Sequence, residues 1–89
     1  MRGVAFSGDC KVNFINVPDP TPGPGEVVLE VKASGMCGSD LHVYRAQSNS
    51  HSASIIRGHE PCGVIVAAGP GVTGANARIG ARVMQHHYK

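Results

Sequence analysis

Two short segments each bring together several side chains able to bind a metal or move a proton. The first is Gly35-Met36-Cys37-Gly38-Ser39-Asp40-Leu41-His42, and the second is Gly58-His59-Glu60-Pro61-Cys62-Gly63. A thiolate and an imidazole suit Zn²⁺, which takes sulfur, nitrogen and oxygen donors in a tetrahedron. Each has an ordinary alternative: a cysteine in a β-rich chain is often a small buried packing residue, and a loop histidine is often simply solvated. Cys37 and His59 each stand in a short turn bracketed by glycines, next to a strong strand. Glycine lets the backbone turn tightly there, so side chains at strand ends can converge. No second cysteine lies two residues from Cys37, so this is not a zinc-finger spacing. Two or three protein ligands would leave a coordination position open, as catalytic zinc sites do.

The elements that must position these groups are short strands. Met1 to Phe6 reads as a strand, Ser7-Gly8-Asp9 as turn chemistry, and Lys11 to Val17 as the second arm of a hairpin. Pro18 to Gly25 holds four prolines and two glycines, which excludes helix and central strand and predicts an ordered turn or surface connector. Glu26 to Ser34 alternates strictly. Val27, Leu29, Val31 and Ala33 are expected on a buried face, and Glu26, Glu30, Lys32 and Ser34 on a wet one. Ser39-Asp40 is placed to cap a short helical turn running to about Arg45. Residues 46 to 54 read as a polar loop. Gly63 to Ala68 is a compact apolar strand closed by Gly69-Pro70-Gly71, and Arg82 to His86 a last strand. Five short strands with Gly/Pro turns predict a mainly β chain and a small barrel.

Composition narrows the class. The 89 residues allow one small domain, and with 42% apolar residues but no Trp the core must rest on Val, Ile, Leu and Ala. A chain of this size buries only about 60% of its unfolded surface and is marginal alone. A net charge of +2 without a Lys/Arg cluster is too little to imply a nucleic-acid partner, and none is expected. No apolar run is long enough to span a bilayer, and the start lacks the apolar core of a signal peptide. Three widely spaced cysteines, Cys10, Cys37 and Cys62, are no disulfide framework. A cytoplasmic location is the expectation.

The paired segments, with Val64 after the second, resemble the signature of zinc-containing medium-chain alcohol dehydrogenases. The likeness extends through Pro22 to Glu26, Gly69-Pro70-Gly71-Val72 and Ile79-Gly80-Ala81-Arg82-Val83, and so covers essentially the whole chain. It implies an incomplete GroES-like (chaperonin-10-like) β-barrel, with residues 1–89 the amino-terminal part of a catalytic domain. It also implies residue roles. Cys37 and His59 match two catalytic-zinc ligands, and Glu60 matches an adjacent acid that in some members approaches or replaces a ligand. Asp40 matches the carboxylate that orients the zinc-bound histidine. Ser39 matches the hydroxyl that passes the substrate proton onward, and His42 the outer end of that relay. Plainer roles stand beside these: Ser39 as a helix cap, Asp40 as a capping-turn acid, His42 as a surface histidine.

The implied activity is zinc-assisted hydride transfer between an alcohol or polyol, or the matching carbonyl, and NAD or NADP. The resemblance further implies a homo-oligomeric parent, dimer or tetramer. The family's next zinc ligand and its Gly-x-Gly-x-x-Gly nucleotide fold have no counterpart in these residues, and Gly69-Pro70-Gly71 is not that fingerprint because no long helix follows. The ending at Tyr88-Lys89, without a closing helix or polar tail, is expected of a truncated chain. Among the remaining residues, Cys62 is expected to be small and buried, Cys10 structural, His51 solvated, and the His86-His87 pair an adventitious metal binder at most. A non-enzymatic β-barrel binding module is the rival, since the same glycines would then serve only turns. A zinc-free quinone-reductase-like relative is a further alternative, although such proteins usually lack the Cys and His at these positions.

Overall fold

The computed structural model describes residues 1–48 and 55–86. His51, His87 and the end of the polar loop therefore lie outside the described residues. Among the described residues, five strands and one α-helix, β1(Arg2–Gly8), β2(Lys11–Asn16), β3(Val27–Gly35), α1(Gly38–Arg45), β4(Glu60–Ala68) and β5(Arg82–Met84), make a mainly β, GroES-like fold with two antiparallel sheets. No helix among the described residues is long and apolar enough to cross a membrane. The chain divides into two compact units, Met1–Asp19 with Met36–Gly58, and Pro20–Gly35 with His59–Lys89.

The first unit is built on the expected hairpin. β1 and β2 pair from Arg2↔Asn16 to Phe6↔Val12, and the ladder then slips one residue to Gly8↔Lys11. β1 runs two residues further than its apolar pattern suggests, so the turn falls at Asp9-Cys10, with φ of 51° and 58°. Such left-handed pairs match the twist of the flanking strands. The turn N–H groups have a second task. Asp9 donates to the Ala46 carbonyl at 2.7 Å and Cys10 to the Tyr44 carbonyl at 2.8 Å, which satisfies two acceptors left over at the end of α1. Cys10 is thus structural through its backbone, while the residue itself is exposed. Gly8 stands where a Cβ would meet the Gln47 and Ala46 carbonyls at 2.7 and 2.8 Å. Ala5 and Phe6 form the buried apolar centre, with the Phe6 ring edge-on to Tyr44 at 5.7 Å. The far edge of β1 is also occupied, by an Ala5↔Ile56 bridge and an Arg57 N–H to Val4 carbonyl bond of 2.9 Å.

In the second unit the sheet order is β3-β4-β5. The Pro-rich stretch is an ordered turn, as its composition predicts: Gly23 N–H donates to the Glu26 carboxylate at 2.8 Å, and Gly25 N–H to the Pro70 carbonyl at 2.8 Å. Two expectations fail. The clean in/out alternation of β3 is broken by register shifts between Val28 and Leu29 and between Val31 and Ala33. Val27, Val28 and Leu29 are all half-buried, and Val31 is 57% exposed. A bulge moves successive side chains off the two-residue period, so no single face carries the core. β4 begins at Glu60, three residues earlier than its apolar run, because Glu60, Pro61 and Cys62 pair with Gly35, Ser34 and Ala33. Pro61 is tolerated near the strand's start, and its carbonyl accepts the Gln85 N–H at 3.0 Å. Ile65, 2% exposed, is the buried centre. Gly63 lies against the Glu30 carbonyl so closely that a Cβ would overlap it.

Candidate functional site

The first cluster of candidate side chains is organised by the start of α1. Cys37, not Ser39, is the N-cap, with φ −92° and ψ 155°, and the helix begins at Gly38. Asp40 is the third helical residue. Its carboxylate accepts the Cys37 N–H at 3.0 Å, while its own N–H donates to the Cys37 carbonyl at 3.0 Å. An acid in the first turn also complements the positive end of the helix dipole. Asp40 is 6% exposed, so the Cys37 backbone is fixed by a buried charged acceptor. The sequence places this cap at Ser39-Asp40, but a residue three positions after the cap commonly reaches back to it. Ser39 and His42, both exposed, stand one turn apart, the spacing at which helical side chains are neighbours. His42, Leu41 and Arg45 border an open hollow of about 430 Å³.

The second cluster sits at the head of β4. His59, half-buried, directly precedes the strand, and Glu60 opens it opposite Gly35. A His59 ring nitrogen and a Glu60 carboxylate oxygen lie within 4.8 Å of each other, close enough to share one ion. They open onto a cleft of about 500 Å³ whose walls include Gly35, Cys62, Met84 and His86. The expected Gly-bracketed turn therefore holds only up to His59, with Glu60 to Gly63 belonging to the sheet. Cys62 is exposed, against expectation. Buried Gly63 and Ile65 point one way from β4, and side chains one position off point the other way. Met84 and His86 as cleft residues follow from the alternation of the last strand, a signal too short at three residues to stand out in the sequence.

Residues 23–89 match the family described as the alcohol dehydrogenase GroES-like domain. The chain belongs to that family. It is 39% identical over 98% of its length to a zinc-type alcohol dehydrogenase-like protein of Escherichia coli (YphC), of which it covers 26%. Among solved structures it is similar to an E. coli short chain alcohol dehydrogenase (rspB) complexed with the cofactor NADH, with TM-score 0.74, 40% identity, and coverage of 94% of this chain and 23% of that one. It is also similar to the 2R,3R-butanediol dehydrogenase of Bacillus subtilis, with TM-score 0.76, 28% identity, and coverage of 93% and 26%. The chain spans about a quarter of the length of these relatives.

Proposed function

We propose that this chain is the zinc-ligand-bearing, amino-terminal portion of the catalytic domain of a zinc-dependent, NAD(P)-linked alcohol or polyol dehydrogenase. Cys37, His59 and Glu60 are the donors assigned to the metal. The observation that carries this is the pairing of Gly35 with Glu60. Cys37 follows Gly35 by two residues, and two peptide units span at most about 7 Å. Connectivity thus leaves the Cys37 thiol within reach of the sheet corner where His59 and Glu60 stand, which supports the assignment. Thiolate, imidazole and carboxylate form a donor set that suits zinc, with room for a substrate oxygen.

When bound, zinc supplies Lewis acidity that lowers the pKa of a coordinated alcohol. The chain's own residues do the remaining work at this end of the site. Ser39, beside the Cys37 cap, accepts the alcohol proton and passes it to His42, which stands exposed one turn later and releases it to water. Asp40 holds the cysteine-bearing turn through the Cys37 N–H and orients the His59 ring. The cleft beside His59 and Glu60 receives the alcohol carbon skeleton. Hydride acceptance would be the chemistry supplied by a nicotinamide, which parts of the parent enzyme outside these residues would hold. NADH in one related structure and a diol in the name of another support this assignment.

The test is metal stoichiometry and environment. The reduced chain should bind one Zn²⁺, and Co²⁺ in its place should give the intense visible absorption of a tetrahedral sulfur-containing site. Cys37→Ser should abolish the sulfur-to-cobalt band, and His59→Ala and Glu60→Gln should each weaken binding. A cobalt spectrum unchanged by Cys37→Ser would remove the site.

A further inference from the structure

The exposed face of β4 and β5 carries donors that the zinc assignment does not use. Cys62 and Met84 are direct ladder partners, and both are open to solvent, Met84 at 76%. The pairing persists one step past β5, since Gln85 donates to the Pro61 carbonyl at 3.0 Å. His86 therefore follows Met84 on the same face, and all three residues line the cleft onto which His59 and Glu60 open. A strand normally turns a thioether inward. Here a thiol, a thioether and an imidazole share a wet surface.

We propose that Cys62, Met84 and His86 form a second metal site, selective for a soft monovalent cation of the Cu(I) type. Reach permits it. Ladder partners have Cβ atoms about 4.5–5.5 Å apart, and metal–thiolate bonds run about 2.3 Å, so two sulfurs can grip one ion between the strands. The flexible Met84 arm takes up the remaining error. Donor softness decides the metal: thiolate and thioether together favour Cu(I), whereas zinc seldom takes a thioether. Lys32, ion-paired with Glu30, and Arg82 border the adjoining hollow with Cys62 and Met84. On binding, the thiol proton passes to solvent and no electron moves.

The experiment is an anaerobic Cu(I) titration of the reduced 89-residue chain in a Cys10→Ser background, preloaded with Zn²⁺ and run against a bicinchoninate competitor. Copper–thiolate absorption and the methionine methyl NMR signals are read together. One equivalent of Cu(I) should bind, shift the Met84 methyl and leave those of Met1 and Met36 in place. Cys62→Ser should abolish binding, and Met84→Leu should weaken it at least about tenfold, on the scale of a lost metal-site partner. Cys37→Ser should leave it intact. All these residues except Cys37 are exposed, so the variants should keep the fold. Copper uptake that disappears with Cys37→Ser, or that is indifferent to Met84→Leu, overturns the proposal. So does full displacement of Cu(I) by excess Zn²⁺.

Discussion

The main-chain N–H of Cys37 donates to the Asp40 carboxylate at 3.0 Å, so the residue that offers the thiol is held by a buried acid three positions on. One side chain thereby joins helix initiation to the placing of the cysteine proposed as a metal ligand.

Removing that acid should separate the two roles. Asp40→Ala loses the acceptor and should destabilise the first unit by about 1 kcal/mol, the usual scale for a lost cap, read as a lower urea midpoint. Asp40→Asn keeps an acceptor oxygen but no charge. It should unfold close to the parent yet lose zinc about 10- to 100-fold more readily on dialysis against a chelator. Parental zinc retention in Asp40→Asn would confine the residue to capping.

Glycines in this chain divide by what surrounds them. Gly63→Ala would drive a methyl into the Glu30 carbonyl, and the paired strands cannot part without breaking their ladder. A loss of about 1–3 kcal/mol is expected. Gly38 has nothing within 4 Å of an added Cβ and lies in the helix. Gly38→Ala should therefore raise the midpoint, by about 0.4–1 kcal/mol, through the unfolded chain's entropy. Equal effects from the two substitutions would contradict this packing.

The Met1 ammonium bonds the Asp19 carboxylate at 2.8 Å and, by that hydrogen bond and its charge, holds the Asp19 carboxyl below its usual range. A lowered folded-state pKa contributes stability above the unfolded value, and that contribution is lost as the pH falls through the folded one. Both groups are exposed, so the stability effect is small, but the titration is direct. An NMR titration of Asp19 should show a depressed midpoint that rises to the ordinary carboxylate range when the amino terminus is acetylated.

We infer that the 89-residue chain does not turn over alcohols by itself, because its Gly-x-Gly-x-x-Gly run, Gly69 to Gly74, leads only into the three-residue turn Ala75–Ala77 and not into a helix that could hold a dinucleotide. The zinc-loaded chain, mixed with NAD or NADP and a panel of primary, secondary and polyol substrates, should leave the reduced-nicotinamide absorbance flat. Zinc-dependent turnover surviving removal of host dehydrogenases would show that fewer parts suffice.

The hairpin, the ordered Pro-rich turn and the short helix were legible because each rests on local chemistry: turn formers, prolines and a capping pattern. The two segments proposed to bear ligands stood out by residue type and glycine spacing. Non-local effects were not legible. Bulges at Val28/Leu29 and Val31/Ala33 scrambled an alternation that looked strict, and partnering by β3 drew Glu60 to Cys62 into a strand that composition starts at Gly63. Cys62 misled for a related reason. Cysteine's usual burial is a statement about averages, while its side here was set by the register of β4. The cap shifted from Ser39 to Cys37 because a buried carboxylate three residues later can serve a residue that is itself a poor cap.

β1 of the first unit is bonded along both edges, to β2 on one side and to the Ile56–Arg57 segment on the other. It also carries that unit's buried Ala5 and Phe6. Local openings that fray either neighbour leave it paired to the other. The amide protons of Gly3 to Phe6 should thus be the slowest in this unit to exchange with deuterium, and their loss should report its complete unfolding.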